Sequence, residues 1–130
     1  MKWFLTGIAL GALLTADVKR DRIYELRIYH ATPGKVTKLE DRFRDAQPLF
    51  NKYNLNVSGY WVADDPKKPE WNDTFVYIVA HDSIDEAKKT WKAIHADPAF
   101  QKYRDQEKAE PLIPKDESVF MRPTDYSAQR

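Results

Sequence analysis

The chain has 130 residues, 21 Lys+Arg against 20 Asp+Glu, and aromatic side chains at 13% of its positions, a length that fits one domain with an ample core. It contains no cysteine, which excludes disulfides, thiolate nucleophiles and cysteine-held zinc or iron–sulfur clusters. The balanced charge leaves no broad basic face to neutralise phosphates, so nucleic acid is not an expected partner.

The first residues read differently from the rest. Lys2 precedes a charge-free run over residues 3–14, then Thr15-Ala16, then a charged stretch over residues 17–22. One positive charge, about a dozen mostly apolar residues and a small residue at a polar boundary describe a secretory signal peptide over residues 1–16. Leu14 departs from the small residue usual near a cleavage site, and the competing readings are a retained anchor or a buried N-terminal helix. The run is short of the roughly 20 apolar residues a membrane span needs. Cleavage near Ala16 gives an exported chain, secreted or periplasmic, with no stable membrane span. It also removes Lys2 and no acid, leaving 20 basic against 20 acidic side chains.

Residues 23–30 alternate as a strand and stop at Pro33-Gly34. Residues 35–53 carry Val36, Leu39, Phe43, Ala46, Phe50 and Tyr53 at helical spacing. Pro48 predicts a kink near residues 45–47 or a helix restarting at the proline. A strand over residues 55–63 leads into an irregular loop holding two prolines and five charges. Residues 74–80 are rich in β-branched and aromatic side chains and form the third strand. Ser83-Ile84-Asp85-Glu86 is a capping box opening a second helix, with Ile84, Ala87, Trp91 and Ile94 on one face. Asp97-Pro98 restarts a short helix, and a last strand covers residues 118–122.

The motifs that carry the most information are Tyr24-Glu25-Leu26-Arg27-Ile28-Tyr29 followed by Thr32-Pro33-Gly34-Lys35, then Gly59-Tyr60-Trp61, Asp73-Thr74-Phe75-Val76-Tyr77-Ile78, Asp97-Pro98-Ala99-Phe100 and Arg122-Pro123-Thr124-Asp125-Tyr126. In this order they resemble the NIPSNAP family over about residues 23–126, followed by a tail over residues 127–130. The resemblance implies an α+β fold: a ferredoxin-like βαββαβ unit with a four-stranded antiparallel sheet that pairs into a dimeric α+β barrel. Independently, strands one to three are apolar or aromatic on both faces, while two helices cover only one face. The bare face is expected to pack on a second copy, which makes a homodimer.

No catalytic residue stands out. There is no Gly-x-Ser-x-Gly and glycine is scarce, at 4 residues, so neither a nucleophile elbow nor a phosphate-cradling loop is present. His30 and His81 fall at opposite ends of antiparallel strands, and His95 has no evident carboxylate partner. All three read as surface or strand-end residues, and neither a metal nor a cofactor is expected. Arg27 sits mid-strand, matched either by Glu25 or by an anionic ligand. Tyr29, Trp61 and Tyr77 offer amphipathic rings for a flat organic molecule. Arg27, Tyr29, Trp61 and Tyr77 are therefore the candidate ligand-binding set. Trp91 reads as core.

The wider superfamily that the resemblance points to includes cofactor-free monooxygenases and haem-degrading enzymes. The latter carry a histidine one helical turn after an aromatic residue. Here Phe100 is followed at that distance by Arg104, which argues against haem ligation. The functions that follow are an exported small-molecule-binding or accessory protein, a cofactor-free monooxygenase acting on a small aromatic or quinone-like compound, or a protein-interaction module.

Overall fold

The computed structural model describes residues 21–130; the expected signal segment and its cleavage point lie outside them. The elements run β1 (Ile23–His30), α1 (Val36–Lys52), β2 (Asn56–Val62), β3 (Thr74–His81), α2 (Ile84–Ala96), α3 (Gln101–Ala109) and β4 (Lys115–Met121), with short 3-10 turns at Pro69–Trp71 and Pro98–Phe100. The four strands form one antiparallel sheet in the order β2-β3-β1-β4. This is the expected ferredoxin-like α+β arrangement.

Local chemistry sets the element ends. Gly34 has a φ of 77° and donates its backbone N–H to Asp73 Oδ2 at 3.0 Å, which ties the β1–α1 turn to the start of β3. Ser83 Oγ accepts the Glu86 N–H at 3.0 Å. Only this half of the capping box forms, because Glu86 turns its carboxylate to Lys89 instead. Asp97 caps the next turn by accepting the Ala99 N–H at 2.8 Å. Its other oxygen takes Lys52 Nζ and the Tyr53 hydroxyl, which fastens the end of α1 to the α2–α3 junction.

Two expectations need correction. Helix α1 does not restart at Pro48 but runs on through it. Both Pro48 and Arg44, whose carbonyl loses its usual donor, are exposed, so water can serve that carbonyl. Strand β4 begins three residues before the expected start at Ser118. Lys115, Asp116 and Glu117 pair with His30, Tyr29 and Ile28 through backbone bonds, which the apolar alternation does not report. A charged edge of this kind also discourages further strands from adding.

The helices pack on one face of the sheet. Leu39, Ala46, Leu49 and Phe50 from α1 and Ile94 from α2 meet Tyr29, Phe75, Tyr77 and Val79 in the buried core. The inner face of β1 therefore presents Glu25, Arg27 and Tyr29 to the helices, while Leu26 and Ile28 face outward and are only half-buried. The more polar set points in and the more apolar set points out. That inversion sets up a polar site in the interior and leaves the outer face apolar.

Candidate functional site

A cavity of about 450 Å³ lies between the inner sheet face and the helices. Arg27 and Tyr29 reach it from β1 and Tyr77 from β3. Helix α1 contributes Phe43, Ala46 and Phe50, and α2 contributes Trp91 and His95, one turn apart. Phe100, Tyr103, Arg104, Glu107 and Lys108 line the remaining wall. The last four recur at intervals of 1, 3 and 1 along α3, which puts them on one helix face. The lining is mostly apolar, with a few converging polar groups, as is usual for small-molecule sites.

The polar end is a connected network. Glu25 is 3% exposed and accepts three hydrogen bonds: from Arg27 Nε at 2.8 Å, His81 Nε2 at 2.9 Å and Trp91 Nε1 at 2.7 Å. Burial opposes its charge, but His81, Trp91 and Arg27 outweigh burial and hold the carboxyl down at about 2. Arg27 then donates from Nη1 to the Tyr29 hydroxyl at 3.2 Å, and that hydroxyl meets the Tyr77 hydroxyl at 2.7 Å. Burial pushes the Tyr77 phenol well above its usual range, with the Tyr29 oxygen adding to the effect. The Arg27 guanidinium also lies 4.3 Å over the Trp91 ring. Trp91 is thus more than core filling: it shapes the cavity and holds Glu25.

Three of the four candidate residues from the sequence converge here. Trp61 does not. A bulge between Val57 and Gly59 shifts the alternation of β2, so Tyr60 pairs with Tyr77 and faces the helices. Trp61 lands on the outer face, 50% exposed. Its ring lies over Gly59, where an added Cβ would stand 2.6 Å from Cη2. His81 sits at the end of β3, as expected, but it is buried there against Glu25. Sequence reading missed Phe43, Tyr103 and Glu107 as cavity residues. Phe43 lay in a helical stripe that a core alone would also explain, and Tyr103 and Glu107 carried no apolar periodicity, since α3 buries none of its residues.

His95 is depressed by burial, then by the charges of Arg104 and Arg27, and stays neutral near pH 7. Among the described residues no cluster of His, Asp and Glu has the makings of a metal site, and no helix is long and apolar enough to cross a membrane.

The fold and cavity define an α+β ferredoxin-like protein with a cavity between its sheet and helices that opens along α3. The NIPSNAP family model matches residues 24–128, and the chain belongs to the NIPSNAP family. An uncharacterised NIPSNAP domain protein from Burkholderia xenovorans shares 24% identity at a TM-score of 0.69, over 81% of this chain and 97% of that one. A NIPSNAP family protein of unknown function from Agrobacterium tumefaciens shares 19% identity at a TM-score of 0.74, over 86% and 96%. A Bordetella bronchiseptica protein named after the antibiotic biosynthesis monooxygenases shares 16% identity at a TM-score of 0.57, over 81% and 99%. At these identities the likeness is one of fold. No curated protein matches the sequence.

Proposed function

We propose that this protein binds a small, largely apolar ring compound in the cavity between sheet and helices. The observation that carries the reading is the cavity itself: about 450 Å³, walled by Phe43, Phe50, Phe100 and Trp91, with the Arg27–Tyr29–Tyr77 network at the sheet. A fully packed interior would use aliphatic side chains that bring no polar atoms needing partners. We further propose that the protein is exported and acts as a homodimer. Support for pairing comes from the outer sheet face, where Trp61 and Val119 are exposed beside half-buried Leu26, Ile28, Val76 and Ile78. A thermal-shift screen of ring compounds tests the binding reading. A ligand at 100 times its Kd stabilises the folded state by about 2.7 kcal/mol. The shift should disappear in Ala46→Phe, which fills the cavity. A broad screen without shifts, or shifts that survive this substitution, refutes it.

The second reading is a cofactor-free monooxygenase acting on an aromatic or quinone-like compound. It is favoured by the paired tyrosine hydroxyls beside Arg27, donors placed where an oxyanion on a ring could be held. The fold-level likeness to the Bordetella protein is an analogy with limited weight. Oxygen consumption with compounds that bind separates the two readings.

A further inference from the structure

The charged groups of the cavity fall into two classes. Arg27 is matched by Glu25, and Arg42 by Glu107. The Glu107 oxygens are further occupied by the backbone N–H groups of Leu112 and Ile113. Among the described residues, neither Arg104 nor Lys108 has a carboxylate partner. Arg104 is nevertheless held in place. It donates from Nη2 to the His95 carbonyl at 2.6 Å, and its guanidinium lies 4.8 Å over the Phe100 ring. That uses one of five donors and leaves the rest of the fork available. Lys108 follows one helical turn later on the same wall.

We infer that the cavity takes an acid: a flat aromatic compound whose carboxylate or sulfonate is held by Arg104, with Lys108 in support, at the exposed edge formed by α3. This inference rests on the binding reading above and adds the charge of the ligand and the residue that selects it. It moves anion recognition from Arg27 to Arg104. Arg27 already has its counter-charge, so its remaining donors suit a neutral oxygen on the ring. A planar guanidinium with free N–H groups suits the two parallel hydrogen bonds of a carboxylate, whereas an ammonium offers only a point charge. A ligand of about two or three rings fits a cavity of this size.

The test compares two fluorescent probes that differ in one group. 8-Anilinonaphthalene-1-sulfonate carries a sulfonate, and N-phenyl-1-naphthylamine has the same rings without it. Each is titrated against the full chain and against Arg104→Gln, Lys108→Gln and Ala46→Phe. The sulfonate probe should bind one site per chain at least tenfold more tightly than the neutral one. Arg104→Gln should weaken the sulfonate probe about tenfold and leave the neutral probe within twofold. Lys108→Gln should produce a smaller loss of the same kind, and Ala46→Phe should abolish both. Arg104→Lys should recover only part of the loss. Equal affinities for the two probes, or an Arg104→Gln effect common to both, overturns the acid assignment while leaving the cavity reading standing. Binding of neither probe, or binding unchanged in Ala46→Phe, overturns both.

Discussion

Replacing Glu25 with glutamine tests the buried network most sharply. The carboxylate accepts from Arg27, His81 and Trp91 at 2.7–2.9 Å and is 3% exposed. Glu25→Gln keeps the shape but removes the charge and aims an amide N–H₂ at one of those donors. Breaking one side of a buried ion pair costs about 3–5 kcal/mol. The pH linkage gives a consistent figure. The carboxyl drops from an ordinary 4.5 to about 2, which is worth about 3 kcal/mol at neutral pH. Because the folded-state value is lowered, this stability is present above the unfolded value near 4.5. It is lost as pH falls toward 2. Urea unfolding of both proteins from pH 7 down to pH 3 reads the difference directly. Wild type should be about 3 kcal/mol more stable at pH 7, and this advantage should shrink by about 2 kcal/mol by pH 3. A gap below 1 kcal/mol at pH 7, or one that does not change with pH, refutes the argument.

Tyr29→Phe deletes the hydroxyl joining Arg27 to Tyr77 and leaves the buried Tyr77 hydroxyl without its partner; calorimetry should show a loss of about 1–3 kcal/mol. Gly59→Ala forces the half-exposed Trp61 ring to move. Since a surface side chain can swing aside, the monomer should lose under about 1 kcal/mol, whereas sedimentation equilibrium should show weakened pairing if the outer faces meet. The same measurement on wild type at micromolar concentration should give twice the chain mass, and a clean monomer would contradict the proposed dimer. N-terminal sequencing of protein from its native host should begin near Asp17, and recovery of intact Met1 in the cytosolic fraction would contradict export.

The fold was legible because its signals are periodic. Leu39, Phe43, Ala46 and Phe50 repeat at helical spacing, β3 is a β-branched and aromatic run, and Pro33-Gly34 and Ser83 mark element boundaries. The site was legible only where one strand supplies it, in Arg27 and Tyr29, with Tyr77 opposite on β3. Trp61 was misplaced because a bulge reverses the side-chain alternation, and no residue in Val57-Ser58-Gly59 announces a bulge except the glycine. Arg104 was weighed only as a missing histidine. Its value as an unmatched cation depends on Glu25 and Glu107 being already committed, and that is a three-dimensional fact.

The central claim, that the inner cavity is a binding site, is tested most directly by the tryptophan indole resonances. Trp91 lines the cavity with its Nε1–H on Glu25. Trp61 and Trp71 are exposed and lie outside it. In ¹H–¹⁵N spectra titrated with N-phenyl-1-naphthylamine, and assigned with Trp91→Phe, the Trp91 signal should move in a saturable way while those of Trp61 and Trp71 stay in place. A Trp91 signal that does not respond, or a response confined to Trp61 on the outer face, would contradict the claim.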